Sequence, residues 1–339
     1  MMKKNPTIKG IYEVCIGITE TLSMIQYWQQ FGYRIGQTGE LTAPIVKNLY
    51  GVNSNLRSIR LEHQNIDHGI IRLMAWENPT NEGLEMTSMK VLGNRWGTTL
   101  TADVLNILNH AEDAQLAGLP IKYTFPQWEM IFKMEKGRPF IDPVVGVREM
   151  MLLQPLTRQV LFQRFNYTVP EYGKINHHST LKTSQFTHAG MVVQDDSKET
   201  LMFYEDVLGL LRSRDDSETT YESSEAGRQI FDLQPGEKFI VTTFDDPRSS
   251  INWQEARSGR MYIIRFPEAM KLESCFEYSR PGCLGMSLYT YRVENIKYYF
   301  DRVKNSAATE VTDIVDNEFG EQSFSFVAPD GYFWNLVSK

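Results

Sequence analysis

Residues 187–210, THAGMVVQDDSKETLMFYEDVLGL, combine the features that decide the fold of this 339-residue chain. The apolar, partly β-branched run Met191–Val193 predicts a strand. Asp195 or Ser197 can then cap the N-terminus of a helix. Four residues of this helix share one face: Leu201, Tyr204, Glu205 and Leu208. Gly209 predicts the end of the helix, so the stretch is a strand, a helix and a glycine turn.

This unit of strand, helix and glycine turn is repeated along the chain, which indicates a modular fold. Its four copies begin near Ile11, Trp96, Thr187 and Gly285. Each copy continues into roughly three more strand-like segments, which predicts a βαβββ module. One such module cannot close a core alone. The sequence therefore predicts an α+β fold in which two modules pack side by side, with a curved sheet, helices outside and a cavity inside.

The polar stretch 166–184 lacks periodicity and predicts a linker between two halves. The predicted domains are 1–168 and 182–339, each a cup-shaped pair of neighbouring modules. The N-terminal pair matches the repeat less well. The ligand pocket is therefore expected in the C-terminal pair.

Composition and charge argue against several classes of protein. The 35 basic and 42 acidic residues give a net charge of −7, which disfavours a nucleic-acid partner. No apolar run approaches the roughly 20 residues that cross a bilayer, and the N-terminal lysines precede no apolar stretch of the kind found in signal peptides. Three cysteines without metal-type spacing fit a reducing compartment, so a cytoplasmic location is expected. Serine hydrolase, Walker and Rossmann motifs are absent.

Two segments, 186–246 and 283–338, resemble the vicinal oxygen chelate superfamily, which includes glyoxalase I, bleomycin-resistance proteins and extradiol ring-cleaving dioxygenases. The resemblance rests on His188 at the start of a strand, the helix that follows it, and the terminal hairpin Ala328–Leu336, APDGYFWNL. Four modules in one chain are most similar to the two-domain dioxygenases, including the 4-hydroxyphenylpyruvate type. The resemblance implies paired βαβββ modules around a cup-shaped pocket. It also leaves open a divalent metal (Fe, Mn or Zn) held by the first and last strands of the modules.

Of the three metal ligands that the resemblance implies, this sequence keeps one. His188 matches the first-strand ligand of the third module. The corresponding position of the fourth module falls on Leu288, and the last-strand carboxylate falls on Asn335. Leucine cannot coordinate a metal and a neutral amide is a poor ligand for Fe(II) or Zn(II). No cofactor is therefore expected, with a rearranged set of ligands around His188 as the alternative.

Other polar residues are interpreted in two ways. His188 is either a pocket residue or a histidine hydrogen-bonded at a strand end. Glu13, its closest equivalent in the first module, either faces a pocket or forms a salt bridge at a strand edge, because a buried carboxylate needs a partner. Pairing across the sheet accounts for three further residues in predicted strands: Glu62, Glu149 and Arg164.

The leading hypothesis is a metal-independent lyase, isomerase or cyclase-type enzyme that binds a small, partly apolar organic metabolite in the C-terminal cavity. His188 would move a proton, with Glu13 as the second catalytic candidate. Substrate contacts are expected from Leu288, Asn335, Phe324, Phe326 and Phe333. The alternatives are a metal-dependent dioxygenase or glyoxalase-like lyase with rearranged ligands, and a non-catalytic sequestering protein. The expected partner is the small molecule, and a homodimer is left open.

Overall fold

The computed structural model describes residues 7–64, 66–133, 144–194, 199–212, 216–249 and 252–338. The first module comprises β1 (Ile8–Ile18), α1 (Thr21–Gln30), β2 (Arg34–Leu41), α2 (Ala43–Tyr50), β3 (Leu56–Glu62) and β4 (Ile70–Trp76). The second comprises β5 (Arg95–Thr101), α3 (Val104–Leu116), β6 (Lys122–Tyr123), β7 (Gln127–Lys133), β8 (Val144–Leu153) and β9 (Arg158–Phe165).

The third and fourth modules also begin with a strand and a helix and continue into further strands. The third comprises β10 (Thr183–Val193), α4 (Glu199–Met202), β11 (Leu211–Arg212), β12 (Ser217–Thr220), α5 (Glu225–Phe231), β13 (Lys238–Asp245) and β14 (Arg260–Arg265). The fourth comprises β15 (Gly285–Val293), α6 (Ile296–Lys304), β16 (Val315–Asp316), β17 (Gln322–Val327) and β18 (Phe333–Ser338). Short 3₁₀ turns lie between β13 and β15, at Trp253–Glu255, Glu268–Met270 and Phe276–Tyr278.

The helix predicted after Val193 is present but irregular. Its four α-helical residues continue into a π-helical turn over Phe203–Val207. Asp195 and Ser197, the predicted N-caps, lie outside the described residues. In the equivalent helices of the second and fourth modules, Asp103 and Asn295 form the N-caps and accept hydrogen bonds from backbone N–H groups at 3.1 and 3.0 Å.

The strands form two strongly curled sheets. The eight-stranded sheet has the order β16-β17-β18-β15-β1-β4-β3-β2. The ten-stranded sheet has the order β11-β13-β14-β10-β5-β9-β8-β6, with β12 beside β13 and β7 beside β8. At the centre of each sheet two first strands pair antiparallel, β1 with β15 and β10 with β5. The predicted mixed α+β fold of βαβββ modules in curved sheets is confirmed.

The predicted pairing of neighbouring modules is wrong. The first module shares its sheet with the fourth, and the second with the third. The expectation rested on the general tendency of consecutive units to be neighbours. The first strands pair across long distances in sequence, so local sequence contains no signal for the partner that each one takes. The segment 166–184 also differs from a free linker, because Tyr172 is buried and β10 already begins at Thr183. The division into domains at residues 168 and 182 stays a prediction.

The largest apolar cluster contains buried residues of both sheets and of α1, α3, α4 and α6. Trp28, Phe186 and Trp334 are among its fully buried members. The face of each sheet turned away from this cluster is its inner face. Helix α2 packs on the inner face of the eight-stranded sheet and α5 on that of the ten-stranded sheet. Within the described part of the chain, no helix is long and apolar enough to cross a membrane.

Candidate functional site

The inner face of the eight-stranded sheet carries a buried network of ion pairs. Its members are Glu13, Glu318, Glu321, Arg60, Arg72 and Arg292. Glu13 is fully buried and accepts hydrogen bonds from Arg60 Nε at 2.6 Å and from Thr290 Oγ1 at 2.7 Å. Burial opposes ionisation of Glu13, but Arg60 and Arg72 outweigh it, so the pKa of Glu13 lies below its usual value.

This network occupies the middle of the inner face of the eight-stranded sheet. Three guanidinium groups face three carboxylates, so the charges cancel. Glu318 and Glu321 belong to a turn that lies directly on β2, since a Cβ at Gly39 would stand only 1.8 Å from the Glu318 carbonyl oxygen. Glu318 bonds to Arg72, which also donates to the Tyr50 hydroxyl of α2. The chain therefore fills this cup with its own charged groups.

The inner face of the ten-stranded sheet holds His188 at the place equivalent to Glu13. Each of the two faces a threonine across the central strand pair, Thr98 for His188 and Thr290 for Glu13. The Nδ1 atom of His188 lies 3.0 Å from the Tyr172 hydroxyl. The imidazole stacks on the ring of Tyr262 with 4.5 Å between centroids. Because His188 and Tyr262 are only half-buried, solvent reaches this face.

Glu149 lies on β8, opposite Phe162 of β9, and the ring of Phe162 in turn lies 5.8 Å from that of His188. Within the described ranges the Glu149 carboxyl makes no hydrogen bond and no ion pair. Burial, together with the nearby charge of Glu129, raises its pKa from 4.5 to about 7. The carboxyl therefore changes its charge near neutral pH, as a general acid or base must.

Two apolar clusters flank these polar groups. On one side α5 packs Ile230 and Phe231 against Trp96 and Ile264. On the other side, Leu100, Val147, Phe162, Val169, Tyr172 and Ala256 form a second cluster. Gly190 allows Trp96 to lie across β10, since a Cβ there would stand 2.0 Å from the indole. The result is a polar patch framed by apolar and aromatic side chains, which suits a small organic ligand.

Comparison with solved structures supports the same architecture over nearly the whole chain. A glyoxalase I mutant from Zea mays matches with a TM-score of 0.54 at 12% identity, covering 97% of this chain and 94% of that one. A putative dioxygenase from Bacillus subtilis matches with a TM-score of 0.53 at 11% identity, covering 98% and 86%. The chain has the vicinal oxygen chelate fold. No protein-family model and no curated protein matches its sequence.

The vicinal oxygen chelate fold implies a metal held by the first and last strands of paired modules, but the residues here do not fit one. In the ten-stranded sheet, four residues lie side by side on adjacent strands and form one row: His188, Thr98, Arg260 and Val160. The row through the eight-stranded sheet contains Glu13, Thr290, Ile70 and Asn335. Each row has one good metal ligand. His188 lies next to Arg260, and Glu13 is bonded to Arg60. A guanidinium repels a divalent cation, and no three ligand-type side chains of the described residues converge.

The predicted site residues do not form one C-terminal cavity, so that expectation is wrong. His188 lies in the ten-stranded sheet, whereas the predicted substrate contacts all lie in the eight-stranded sheet: Leu288, Asn335, Phe324, Phe326 and Phe333. The cause is the pairing of the third module with the second. Phe324 and Phe326 are fully buried in the main core, and Leu288 and Phe333 pack in the apolar cluster around α2.

Asn335 and Leu288 also differ from their expected surroundings. The Asn335 amide donates to Ser323 Oγ at 2.7 Å and to Ser325 Oγ at 3.0 Å, which fixes it inside the sheet. Leu288 lies opposite Cys15, and Thr290 is the residue that faces Glu13. Counting residues back from the end of the strand missed this, because the register of β1 against β15 is irregular.

Pairing across the sheet explains Glu62 but not Glu149 or Arg164. Glu62 lies opposite Arg34, with 3.9 Å between Oε2 and Nη2. Glu149 lies opposite Phe162, and Arg164 lies opposite Val147, so neither has a charged cross-strand partner. The sequence signal was available. In β8 and β9 these charges occupy the same alternating positions as apolar residues that face inward.

Proposed function

We propose that the inner face of the ten-stranded sheet binds a small, partly apolar organic molecule and moves a proton on it without a metal, in a reaction of the lyase, isomerase or cyclase type. The observation that supports this most strongly is Glu149, an unpaired carboxyl whose pKa is raised to about 7 by burial. A base with a pKa close to the ambient pH combines a useful ionised fraction with useful proton affinity. Only the ten-stranded sheet would bind a ligand on its inner face, because ion pairs occupy the inner face of the eight-stranded sheet.

Two groups would assist Glu149. His188, positioned by the Tyr172 hydroxyl and by the ring of Tyr262, would hold or move a second proton. Thr98 is buried beside His188 and its Oγ1 has no hydrogen-bond partner, so it is suited to donate to a substrate oxygen. Thr98 would thus make a polar contact with the substrate, whereas the sequence analysis expected a substrate contact from Asn335.

The test follows exchange of a substrate proton with solvent. Purified protein is incubated in D2O with aryl-substituted ketones and 2-oxo acids, and loss of the C–H signal next to the carbonyl is followed by ¹H NMR. We expect exchange above that in buffer alone, unchanged by EDTA. Because Glu149 must be ionised to act as the base, the rate should rise with pH through about 7 and then level off.

Two results would contradict the proposal in different ways. Loss of exchange in EDTA, with recovery on adding Fe(II), Mn(II) or Zn(II), would support the metal-dependent alternative. Compounds that bind but never exchange or change would support a sequestering protein.

A further inference from the structure

Arg164 is a cation of the ten-stranded inner face that no carboxylate of the described residues balances; Arg158 on the same strand also lacks one, but it donates to Asn94 and to three backbone carbonyls. The Arg164 guanidinium lies over the rings of Phe162, Tyr167 and Tyr172, at 5.5, 5.4 and 5.3 Å from their centroids. Its Nε is buried without a hydrogen-bond partner, Nη1 donates to the Val169 carbonyl at 3.4 Å, and the guanidinium also donates to the Tyr167 hydroxyl. No carboxylate of the described chain pairs with it. Burial of an unpaired guanidinium is unfavourable unless a ligand supplies the missing charge.

The neighbouring groups supply no carboxylate partner for Arg164 within the described residues. Arg260 lies over the same Tyr172 ring, at 5.2 Å, but pairs with Asp245. Asp245 is therefore taken by Arg260, and Glu149 is protonated for part of the time at neutral pH. Burial lowers the pKa of Arg164, in keeping with an uncompensated charge.

We infer that the ligand of this site is a small carboxylate with an apolar or aromatic body, and that Arg164 binds the carboxylate. This deepens the proposed function and rests on it. The planar guanidinium offers paired N–H groups that match the two oxygens of a carboxylate. Arg164 and Phe162 face the same side of β9, roughly 7 Å apart. A carboxylate on Arg164 would therefore leave the body of the ligand on Phe162, between Glu149 and His188.

The experiment compares binding of three matched compounds to the full-length protein at pH 6, by ligand-observed NMR. Phenylacetate carries the carboxylate, phenylacetamide is its neutral counterpart, and 2-phenylethanol lacks the carbonyl. We expect phenylacetate to bind at least tenfold more tightly than the other two. Arg164→Gln should reduce the affinity for phenylacetate to that for phenylacetamide. Arg164→Lys keeps the charge but not the paired N–H groups, so its affinity for phenylacetate should lie between those of the wild type and Arg164→Gln.

Arg148→Gln is the matched control. Arg148 is on the neighbouring strand β8 but faces the other side of the sheet, over the ring of Phe165. Its replacement should leave the preference for phenylacetate over phenylacetamide unchanged. Thermal melting of each variant shows whether it is folded. Equal binding of acid and amide, or a preference that survives Arg164→Gln, would overturn the inference while leaving the proposed site for neutral molecules. Failure of all three compounds to bind would overturn both.

Discussion

Replacing Glu13 by glutamine is expected to lower the free energy of unfolding by about 3–5 kcal/mol, because it removes a carboxylate that two buried arginines share. Glu13, Arg60 and Arg72 are each at most 1% exposed. Neither guanidinium can turn to water when its partner is lost. Urea unfolding followed by tryptophan fluorescence measures the change.

The matched control for Glu13→Gln is Glu40→Gln in the same sheet. The Glu40 side chain is 76% exposed and lies 3.8 Å from Arg57, so its loss should change stability by no more than about 0.5 kcal/mol. The double variant Glu13→Gln/Arg72→Met also removes one of the two arginines that lose their partner, and should recover part of the lost unfolding free energy. Similar losses for Glu13→Gln and Glu40→Gln would contradict the picture of a cup closed by coupled ion pairs.

Replacing Glu149 by glutamine is expected to stabilise the protein at pH 8 while lowering proton exchange by about 10²-fold or more. The pKa of Glu149 is raised in the folded state from 4.5 to about 7, so the folded protein binds this proton more tightly than the unfolded chain. The stability that this contributes is fully present below pH 4.5 and is lost as the pH rises through 7. The amide has no charge to bury and avoids that loss.

The expected gain for Glu149→Gln is about 2 kcal/mol at pH 8, less than the full shift implies because the carboxyl is only half-buried. At pH 4.5 the variant and the wild type should be equally stable. Glu62→Gln, which removes a surface carboxylate from the other sheet, should show neither effect. A variant that loses both stability and activity would indicate that Glu149 supports the structure, and the assignment of a base would fail.

The modules could be predicted from the sequence because each contains its own local signals. The run Met191–Val193 and the helix-ending Gly209 depend on neighbours a few residues away, and both appear in the structure. The pairing of β1 with β15 could not be predicted in the same way. It joins residues such as Glu13 and Thr290, which are 277 positions apart, so no local pattern specifies it.

The candidate site was predicted only in part, for a related reason. His188 and Glu13 were recognised as equivalent, and each does face a threonine at the centre of its sheet. Glu149 and Arg164 come from the second module, which the predicted pairing placed in the other domain. Their role depends on what lies opposite them, and that is decided by strand register rather than by local sequence.

The most direct test of the whole account is the titration of Glu149 in the folded protein. Glutamate labelled with ¹³C at the carboxyl carbon allows each resonance to be followed from pH 3 to pH 9, and Glu149→Gln assigns the one in question. We expect this carboxyl to titrate near pH 7, and its midpoint to rise when phenylacetate binds nearby. A midpoint close to the ordinary 4.5 would contradict it, because Glu149 would then be a solvated surface charge without the proton affinity that the proposed reaction needs.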